Sequence, residues 1–259
     1  MTDQRTRPDE AWGSIRESAF AAGEFVGQES FITAREVLAL TRRAGVGPGV
    51  SVLDLCCGVA GPGLLVVREL GCAYLGIDAN RTSVAVARER ARTARLDTRF
   101  QVARIPPLPP GRFDVVLLLE TMLAFGDKQD LLGQVASVLP VGGRLAFTVE
   151  EGVPLTDAER DRMPDADTVW PIPLSGLLSG LETAGLDVRW QADWSASHLA
   201  TCNALVEAYA AAAARRAGAR AAVPDMVARL LASHRLWSDW LREGRVRKLA
   251  FVVERVGQT

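Results

Sequence analysis

Apolar residues in this chain form short runs of strand length, separated by longer stretches with helical spacing. Several of the short runs are apolar throughout, which is typical of strands buried on both faces. The pattern predicts seven strands, at residues 50–55, 72–77, 98–103, 113–119, 143–149, 186–192 and 246–253.

Predicted helices alternate with these strands. The helices between strands occupy residues 62–70, 81–95, 128–139 and 174–184. Such alternation predicts an α/β fold, Rossmann-like and doubly wound, with a mostly parallel seven-stranded sheet. The stretch 154–173, rich in aspartate and proline, predicts a loop.

Four more helical patterns lie outside this alternation. Residues 11–22 and 30–44 predict N-terminal helices before the first strand. Residues 195–217 and 224–242 predict two long helices, which form a helical cap inserted before the last strand.

We expect a single domain over residues 1–259, because a chain of this length with 48% hydrophobic residues buries one substantial core. Its expected parts are an N-terminal helical segment (1–49), a Rossmann-like core (50–194 and 245–257) and the cap (195–244).

Composition narrows the classes of function. The 30 basic and 31 acidic residues give a net charge of −1, so overall charge does not supply the attraction that nucleic-acid binding needs. No apolar stretch reaches the roughly 18 residues of a membrane span. The four cysteines lack the spacing of metal ligands. We therefore expect a cytoplasmic protein, a monomer or homodimer, without nucleic acid, membrane or metal.

The turn after the first strand has the composition of a nucleotide-cofactor site. Residues 58–63 read Gly-Val-Ala-Gly-Pro-Gly, and small residues there let a ligand approach a helix N-terminus closely. Asp78 lies 20 residues after Gly58, at the end of the second strand, where an acid can accept hydrogen bonds from ribose hydroxyls. The alternative role for Asp78 is to cap the next helix. The spacing G-x-x-G-x-G differs from the dinucleotide pattern G-x-G-x-x-G, which disfavours an NAD-dependent oxidoreductase.

The sequence at residues 52–58, Val-Leu-Asp-Leu-Cys-Cys-Gly, resembles the first motif of the class I S-adenosylmethionine-dependent methyltransferases of small molecules. The order of elements over residues 50–149 is similar to that family as well. The resemblance implies S-adenosylmethionine as the cofactor. It further implies that Asp54 and Gly58 hold the methionine end, and that Asp78, followed by Ala79, binds the ribose.

The chain departs from the family pattern at several positions. Cys56 and Ala60 stand where glycine is common, and Arg104 stands where many members have an acid that faces the adenine. We therefore expect adenine to contact backbone and apolar groups, with Ile105 as a candidate. Gln28 in the N-terminal segment is a candidate for folding over the cofactor.

Glu120 is a candidate for catalysis. It follows an apolar run at the end of the fourth strand, where ligands bind in open α/β sheets. Two interpretations stay open: a group that orients the acceptor or takes its proton, and a group that caps a helix or orients the cofactor. Met122, two residues later, is a candidate acceptor contact.

The cap contributes His198 and Tyr209 as candidates. His198 is a candidate base and acceptor contact, and the alternative is a partly buried histidine satisfied by a neighbour. A glutamate after the fourth strand with a histidine and a tyrosine in the cap loosely resembles the cyclopropane-synthase-like and prenyl C-methyltransferase branch of the family. This resemblance implies catalytic roles for Glu120, His198 and Tyr209, but it assigns no lipid or prenyl acceptor.

Two further residues are candidate acceptor contacts. Glu150 ends the fifth strand, and Trp170 lies in the loop that follows it. A solvated acid and a packing tryptophan are the alternative interpretations.

The predicted function is transfer of a methyl group to an oxygen, nitrogen or carbon nucleophile of a small molecule. Positioning supplies most of the catalysis, and a base, Glu120 or His198, is needed only where the acceptor must lose a proton. An alternative is a protein of this fold that binds S-adenosylmethionine in a structural, regulatory or cyclase-like role. A nucleic-acid methyltransferase is disfavoured by the neutral charge and by the absence of an Asn/Asp-Pro-Pro-aromatic motif after the fourth strand.

Overall fold

A computed structural model describes residues 8–164, 166–218 and 225–257 of the chain. Its strands form one seven-stranded sheet in the order β3-β2-β1-β4-β5-β7-β6. The strands are β1 Ser51–Leu55, β2 Ala73–Asp78, β3 Arg99–Val102, β4 Val115–Leu118, β5 Arg144–Glu151, β6 Leu186–Asp193 and β7 Arg247–Arg255.

The first five strands are parallel, and β7 runs antiparallel to both β5 and β6. The order reverses between β1 and β4, so a crevice opens at the carboxyl ends of these two strands. The prediction of a doubly wound, mostly parallel seven-stranded sheet is confirmed.

Nine α-helices are found in the described residues. They are α1 Pro8–Glu17, α2 Ala34–Arg43, α3 Gly61–Leu70, α4 Arg81–Ala94, α5 Lys128–Val138, α6 Asp157–Arg162, α7 Leu174–Thr183, α8 Ser195–Gly218 and α9 Asp225–Arg242. None of these helices is long and apolar enough to cross a membrane.

The core lies on both faces of the sheet because side chains alternate along each strand. In β1, Val52 packs in the cluster formed with α2, α3 and α4. Its neighbour Leu53 packs in the opposite cluster, formed with α5 and α7. The cap helices α8 and α9 pack against each other beyond the sheet, and their apolar residues form two smaller clusters.

Two helix predictions need correction. The first helix ends at Glu17 rather than at residue 22, because residues 18–33 fold into turns and bends that lie over the loop after β1. The predicted loop 154–173 contains α6, which begins at a capping box in which Thr156 and Glu159 bond each other's backbone N–H. The Thr-x-x-Glu spacing is a sequence signal for this helix. The predicted domain organisation stays a prediction.

Candidate active site

The loop that follows β1 turns sharply through left-handed backbone. Cys56, Gly58 and Ala60 have φ angles of 57°, 53° and 59°. Glycine adopts this conformation without strain, whereas in a residue with a Cβ the conformation is destabilising. The two positions where the family commonly has glycine therefore keep the glycine-like backbone, even though cysteine and alanine occupy them here.

A cavity of about 260 Å³ lies against this loop. Residues 56–62 form one wall, and Asp78 lies at the end of β2. Residues 119–121, after β4, and residues 27–30 of the N-terminal segment complete the lining. We call it the loop cavity. Its position at the carboxyl ends of β1 and β4 is the position where open α/β sheets bind ligands.

Asp78 closes the loop and faces the loop cavity. Its carboxylate accepts hydrogen bonds from the N–H groups of Gly58, at 2.9 Å, and Asn80, at 2.7 Å. The cap of α4 is Asn80, whose side chain accepts from Thr82 and Ser83. Asn80, and not Asp78, is therefore the cap of α4. The prediction that Asp78 binds a ribose stays a prediction.

Helix α3 begins at the loop cavity without a side-chain cap. Its N-cap residue is Ala60, whose side chain has no group that could accept a capping hydrogen bond. Backbone N–H groups at an uncapped helix N-terminus attract a carboxylate. The loop therefore fits the cofactor that the sequence predicts, because it offers uncapped backbone N–H groups at the start of α3 and a carboxylate at Asp78. The predicted roles of Gly58 and Asp78 stay predictions.

Asp54 lies behind the loop rather than at the cavity wall. It is buried, and the Tyr74 hydroxyl donates a hydrogen bond of 2.5 Å to it. Burial raises the pKa of Asp54 to about 7, although the Tyr74 hydrogen bond opposes the shift. A Cβ at Gly63 would lie 2.0 Å from the Tyr74 hydroxyl, so this pairing needs glycine there. The predicted contact of Asp54 with the methionine end stays a prediction.

The N-terminal segment closes over the loop. A Cβ at Gly61 would lie 2.2 Å from the Val26 carbonyl oxygen, so the two backbones meet closely. Gln28 lines the cavity, but its side-chain amide is used within its own segment. It accepts from Val26 N–H and donates to the carbonyls of Glu24 and Ile32. The prediction that Gln28 folds over the cofactor is therefore supported only by its place in the cavity wall, and it stays a prediction.

Glu120 lies at the cavity wall with its backbone in the left-handed region, φ 62°. The hydroxyl of Thr148 on β5 accepts from the Glu120 N–H and donates to Oε1, both at 2.8 Å. The other oxygen, Oε2, contacts His198 Nε2 at 2.8 Å. The structure therefore brings together two of the predicted catalytic residues, from β4 and from α8.

A buried lysine completes this charged group, which we call the Glu120 cluster: Glu120, Glu150, His198 and Lys248. Lys248 Nζ lies 2.8 Å from Glu120 Oε1 and 2.6 Å from Glu150 Oε1. Lys248 and Glu150 are direct partners in the antiparallel pairing of β7 with β5. With His198 neutral, the formal charge of the cluster is −1.

The charges in the cluster control each other's ionisation. Burial alone would raise the pKa of Glu120, but the charges of Lys248 and His198 and their hydrogen bonds hold it well below its usual range. Burial alone would lower the pKa of Lys248, but Glu120 and Glu150 raise it. Glu120 is therefore a fixed carboxylate at neutral pH and a poor proton acceptor.

His198 is almost completely buried, with 1% of the residue exposed. Its Nε2 contacts Glu120, whereas Nδ1 has no hydrogen-bond partner among the described residues. The Phe31 ring packs edge-on against the imidazole at 5.6 Å. The histidine is thus paired on one side and has a free ring nitrogen on the other.

Tyr209 lies on α8 away from the Glu120 cluster. Its hydroxyl accepts a hydrogen bond of 3.0 Å from Arg16 Nη1. The same guanidinium donates to the carbonyls of Gln28 and Ser30, which line the loop cavity. The Tyr209 ring also packs edge-on against His234. The described contacts make Tyr209 an anchor for the N-terminal segment, and its predicted catalytic role is not supported by them.

Other predicted site residues lie outside the loop cavity. Met122 is fully buried in the core cluster of α5 and α7, so its side chain is not at the cavity wall. Arg104 is exposed, and Ile105 packs against the same cluster from beyond β3. Ala79 is exposed directly after Asp78. Trp170 lines a different cavity. Their roles stay predictions.

Sequence reasoning missed Lys248, although a signal exists. Only two of the 30 basic residues of the chain are lysines, Lys128 and Lys248. Both are buried, whereas arginine supplies every other positive side chain. Lysine carries a compact ammonium whose pKa shifts readily on burial, which suits it to functional sites. Rare lysines in an arginine-rich chain are therefore a sequence signal for candidate site residues.

Comparison with known proteins agrees with this geometry. A family model described as a methyltransferase domain matches residues 47–166, which include the whole loop of the cavity and Glu120. Methyltransferase GfsG of Streptomyces halstedii is 35% identical over 112 residues, 42% of this chain and 40% of that protein. The 27-O-demethylrifamycin SV methyltransferase of Amycolatopsis mediterranei is 32% identical over 158 residues, 56% of this chain and 58% of that protein.

Among solved structures, the [4+2]-cyclase SpnF superposes with a TM-score of 0.73 at 22% identity, over 95% of this chain and 92% of that one. At this identity the likeness shows a shared fold and not a shared activity. The fold and the loop cavity are those of a Rossmann-like α/β protein with a ligand crevice at the carboxyl ends of β1 and β4. Residues 47–166 match the methyltransferase domain model and the two relatives are methyltransferases, which supports S-adenosylmethionine, the cofactor that the motif at residues 52–58 predicts.

Proposed function

We propose that this protein transfers a methyl group from S-adenosylmethionine to a hydroxyl group of a small-molecule acceptor, and that His198 takes the hydroxyl proton. The matched segments span only 40% and 58% of the two curated relatives, so the activity of the whole chain is inferred from its site. The observation that carries the proposal is the contact between His198 Nε2 and the Glu120 carboxylate at the cavity wall.

The pairing makes His198 the base and Glu120 its partner. Glu120 keeps its negative charge because Lys248 and His198 hold its pKa low, so it stabilises an imidazolium instead of taking the proton itself. The free Nδ1 of His198 is the nitrogen that accepts the proton. A carboxylate or a neutral amine acceptor needs no base, whereas a hydroxyl gains nucleophilicity when its proton is removed.

S-adenosylmethionine supplies a methyl group on a sulfonium, which leaves as a neutral thioether. The new bond joins the methyl carbon to the acceptor oxygen, the carbon–sulfur bond breaks, and the hydroxyl proton ends on His198. Because the leaving group is neutral, no residue has to protonate it. The protein therefore contributes positioning at the loop cavity and one base.

The acceptor reaches His198 only when the cap or the N-terminal segment moves, because the residue is 1% exposed and Phe31 packs against its ring. Lid movements of this kind gate many enzymes and exclude water during the reaction. The name of one relative, 27-O-demethylrifamycin SV methyltransferase, describes methylation of an oxygen, which supports a hydroxyl acceptor.

The test is production of S-adenosylhomocysteine with a panel of phenols, alcohols, amines and carboxylates. With a hydroxyl acceptor, we expect His198→Ala to lower kcat by about two to four orders of magnitude, the usual contribution of a general base. The affinity for S-adenosylmethionine should stay within about threefold, because His198 does not line the loop cavity.

The exposed residue Asp161 on α6 offers a control, since Asp161→Asn should leave kcat unchanged. Turnover with amines alone, or a His198→Ala enzyme as fast as the wild type, would contradict the proposal. Binding of S-adenosylmethionine without any turnover would favour the alternative role as a binding or cyclase-like protein.

We also propose that the protein is cytoplasmic and is a monomer or a homodimer. Support comes from the near-neutral charge and from the nature of its curated relatives, which act on small molecules. Light scattering coupled to size-exclusion chromatography tests the oligomeric state. A larger assembly would contradict it.

A further inference from the structure

A second cavity, of about 580 Å³, lies outside the loop cavity and shares no lining residue with it. We call it the Trp170 cavity. It is bounded by the start of α5, by the loop that contains Trp170 and by two glycines of α7. Its wall is mainly apolar, with Leu132, Ile172 and three prolines. The methyltransferase reaction proposed above uses none of these residues.

Lys128 lies in the wall of this cavity and is buried, with 6% of the residue exposed. Its ammonium donates to the carbonyls of Phe125 and Trp170, both at 2.6 Å. Among the described residues, no carboxylate lies within salt-bridge distance of Lys128, whereas Lys248 has two such partners. Two carbonyl bonds leave one of the three ammonium N–H groups for another acceptor.

An unpaired charge in this position is costly. Burial lowers the pKa of Lys128 to about 8, although the negative charge of Glu150 opposes the shift. Buried charges are normally paired, because desolvation is repaid only by an opposite charge or by strong hydrogen bonds. The acid in the cavity wall, Asp127, is used as the cap of α5, where it accepts from the Asp130 N–H.

The cavity also holds a flat aromatic surface in a fixed orientation. The Trp170 indole donates from Nε1 to the Asp167 carbonyl at 2.9 Å, and 38% of the residue is exposed. The guanidinium of Arg160 lies 4.2 Å from the centre of the ring. The chain at Gly126 lies next to the indole, since a Cβ there would be in ordinary van der Waals contact with the ring at 3.6 Å.

We propose that the Trp170 cavity binds an organic carboxylate with a flat apolar body, whose carboxylate pairs with Lys128 and whose body packs against Trp170 and Ile172. The ligand carboxylate supplies the negative partner that Lys128 lacks among the described residues. Its ring gains from apolar burial and from stacking on the exposed indole. The carboxylate belongs either to the methyl acceptor or to a separate molecule.

The test uses 2-naphthoate as the probe. Because the chain has two lysines, labelling their ε carbons with ¹³C gives two side-chain resonances, which Lys128→Arg assigns. We expect 2-naphthoate to shift the Lys128 resonance saturably and to leave that of Lys248 unchanged. Uncharged 2-naphthol should bind at least about tenfold more weakly, since a charged hydrogen bond is roughly twice as strong as a neutral one.

Variants measured by calorimetry complete the test. Lys128→Met should weaken 2-naphthoate binding at least about tenfold, and Lys128→Arg, which keeps the charge, should weaken it less. Trp170→Leu should weaken it about threefold or more through lost stacking. The affinity of Lys128→Met for S-adenosylmethionine should equal that of the wild type, which shows that the variant is folded and separates this test from the proposed methyl transfer.

Three results would overturn the inference: no saturable binding of 2-naphthoate by the wild type, equal binding of 2-naphthol, or full binding by Lys128→Met. If the acceptor found in the turnover screen competes with 2-naphthoate, the carboxylate belongs to the acceptor. If the two bind together, it belongs to a separate molecule. Either result supports the site.

Discussion

The two ends of the proposed active site are built in different ways. The proposed cofactor end is a continuous piece of chain, in which β1, its loop and β2 lie within residues 51–78. It presents backbone N–H groups, left-handed turns and one carboxylate, Asp78. The proposed acceptor end is the Glu120 cluster, whose four side chains come from the end of β4 and from β5, α8 and β7. It consists of buried charges that meet only in the folded protein.

Because of this difference, substitutions should affect the two ends in different ways. A backbone cradle tolerates changes of side chain as long as the φ angles stay accessible, as Cys56 and Ala60 show. A cluster of buried charges tolerates almost none, because the loss of one partner leaves the others uncompensated. The cofactor end should therefore fail in binding, and the acceptor end in stability and catalysis.

The largest effect is expected from Lys248→Met. Removing the buried ammonium leaves Glu120 and Glu150 without their common partner, and breaking a buried pair costs about 3–5 kcal/mol. Urea unfolding at neutral pH measures the loss. The double variant with Glu150→Gln should recover part of it, because one uncompensated carboxylate is then removed.

The neighbouring pair on the same two strands gives a matched control. Arg247 opposes Glu151 in the register, one position from Lys248, and the two form an ion pair at 2.8 Å. Because Arg247 is exposed, Arg247→Met should cost no more than about 1 kcal/mol. Equal losses at the two positions would mean that burial of the charge is not what distinguishes the acceptor end.

Asp78→Ala should cause the next largest effect, on the cofactor end alone. We expect the affinity for S-adenosylmethionine to fall about 100-fold, since hydrogen bonds to a charged group contribute about 1.5–3 kcal/mol each. Titration calorimetry gives the affinity. As a control, Asp114→Ala removes an exposed carboxylate that accepts from Ser51 at the start of β1, and it should leave cofactor affinity unchanged. A full-affinity Asp78→Ala protein would remove Asp78 from the ribose site.

The smallest effect is expected in the loop itself. Cys56→Val places a β-branched side chain at a φ angle of 57°, which should destabilise the protein by about 1–2 kcal/mol relative to Cys56→Gly. Thermal unfolding of both variants tests this difference. If the valine variant is as stable as the glycine variant, the loop does not depend on left-handed backbone at this position.

Much of the molecule could be predicted from local pattern. The seven strands occur close to their predicted places, because apolar runs and turn residues lie next to each other in sequence. Local pattern failed where a long-range contact decided the path. The first helix stops at Glu17, and the chain after it folds back so that Arg16 bonds the carbonyls of Gln28 and Ser30.

The same division applies to the candidate residues. Glu120 and His198 were found as candidate types, but their pairing across 78 positions could not be read from spacing. Tyr209 had the right type and segment, yet it bonds Arg16 instead of the cluster. Met122 follows β4 as the sequence predicts, but its side chain is buried in the core and does not line the loop cavity.

The sequence by itself determined the fold class, the cofactor and the carboxylate at the end of β2, since each depends on a short motif and on the alternation of strands and helices. Only the tertiary structure decided which charges meet. Lys248 joins Glu120 because β7 returns antiparallel beside β5 and sets Lys248 opposite Glu150. Strand pairing between distant segments is a property of the whole sheet, so no local pattern carries it.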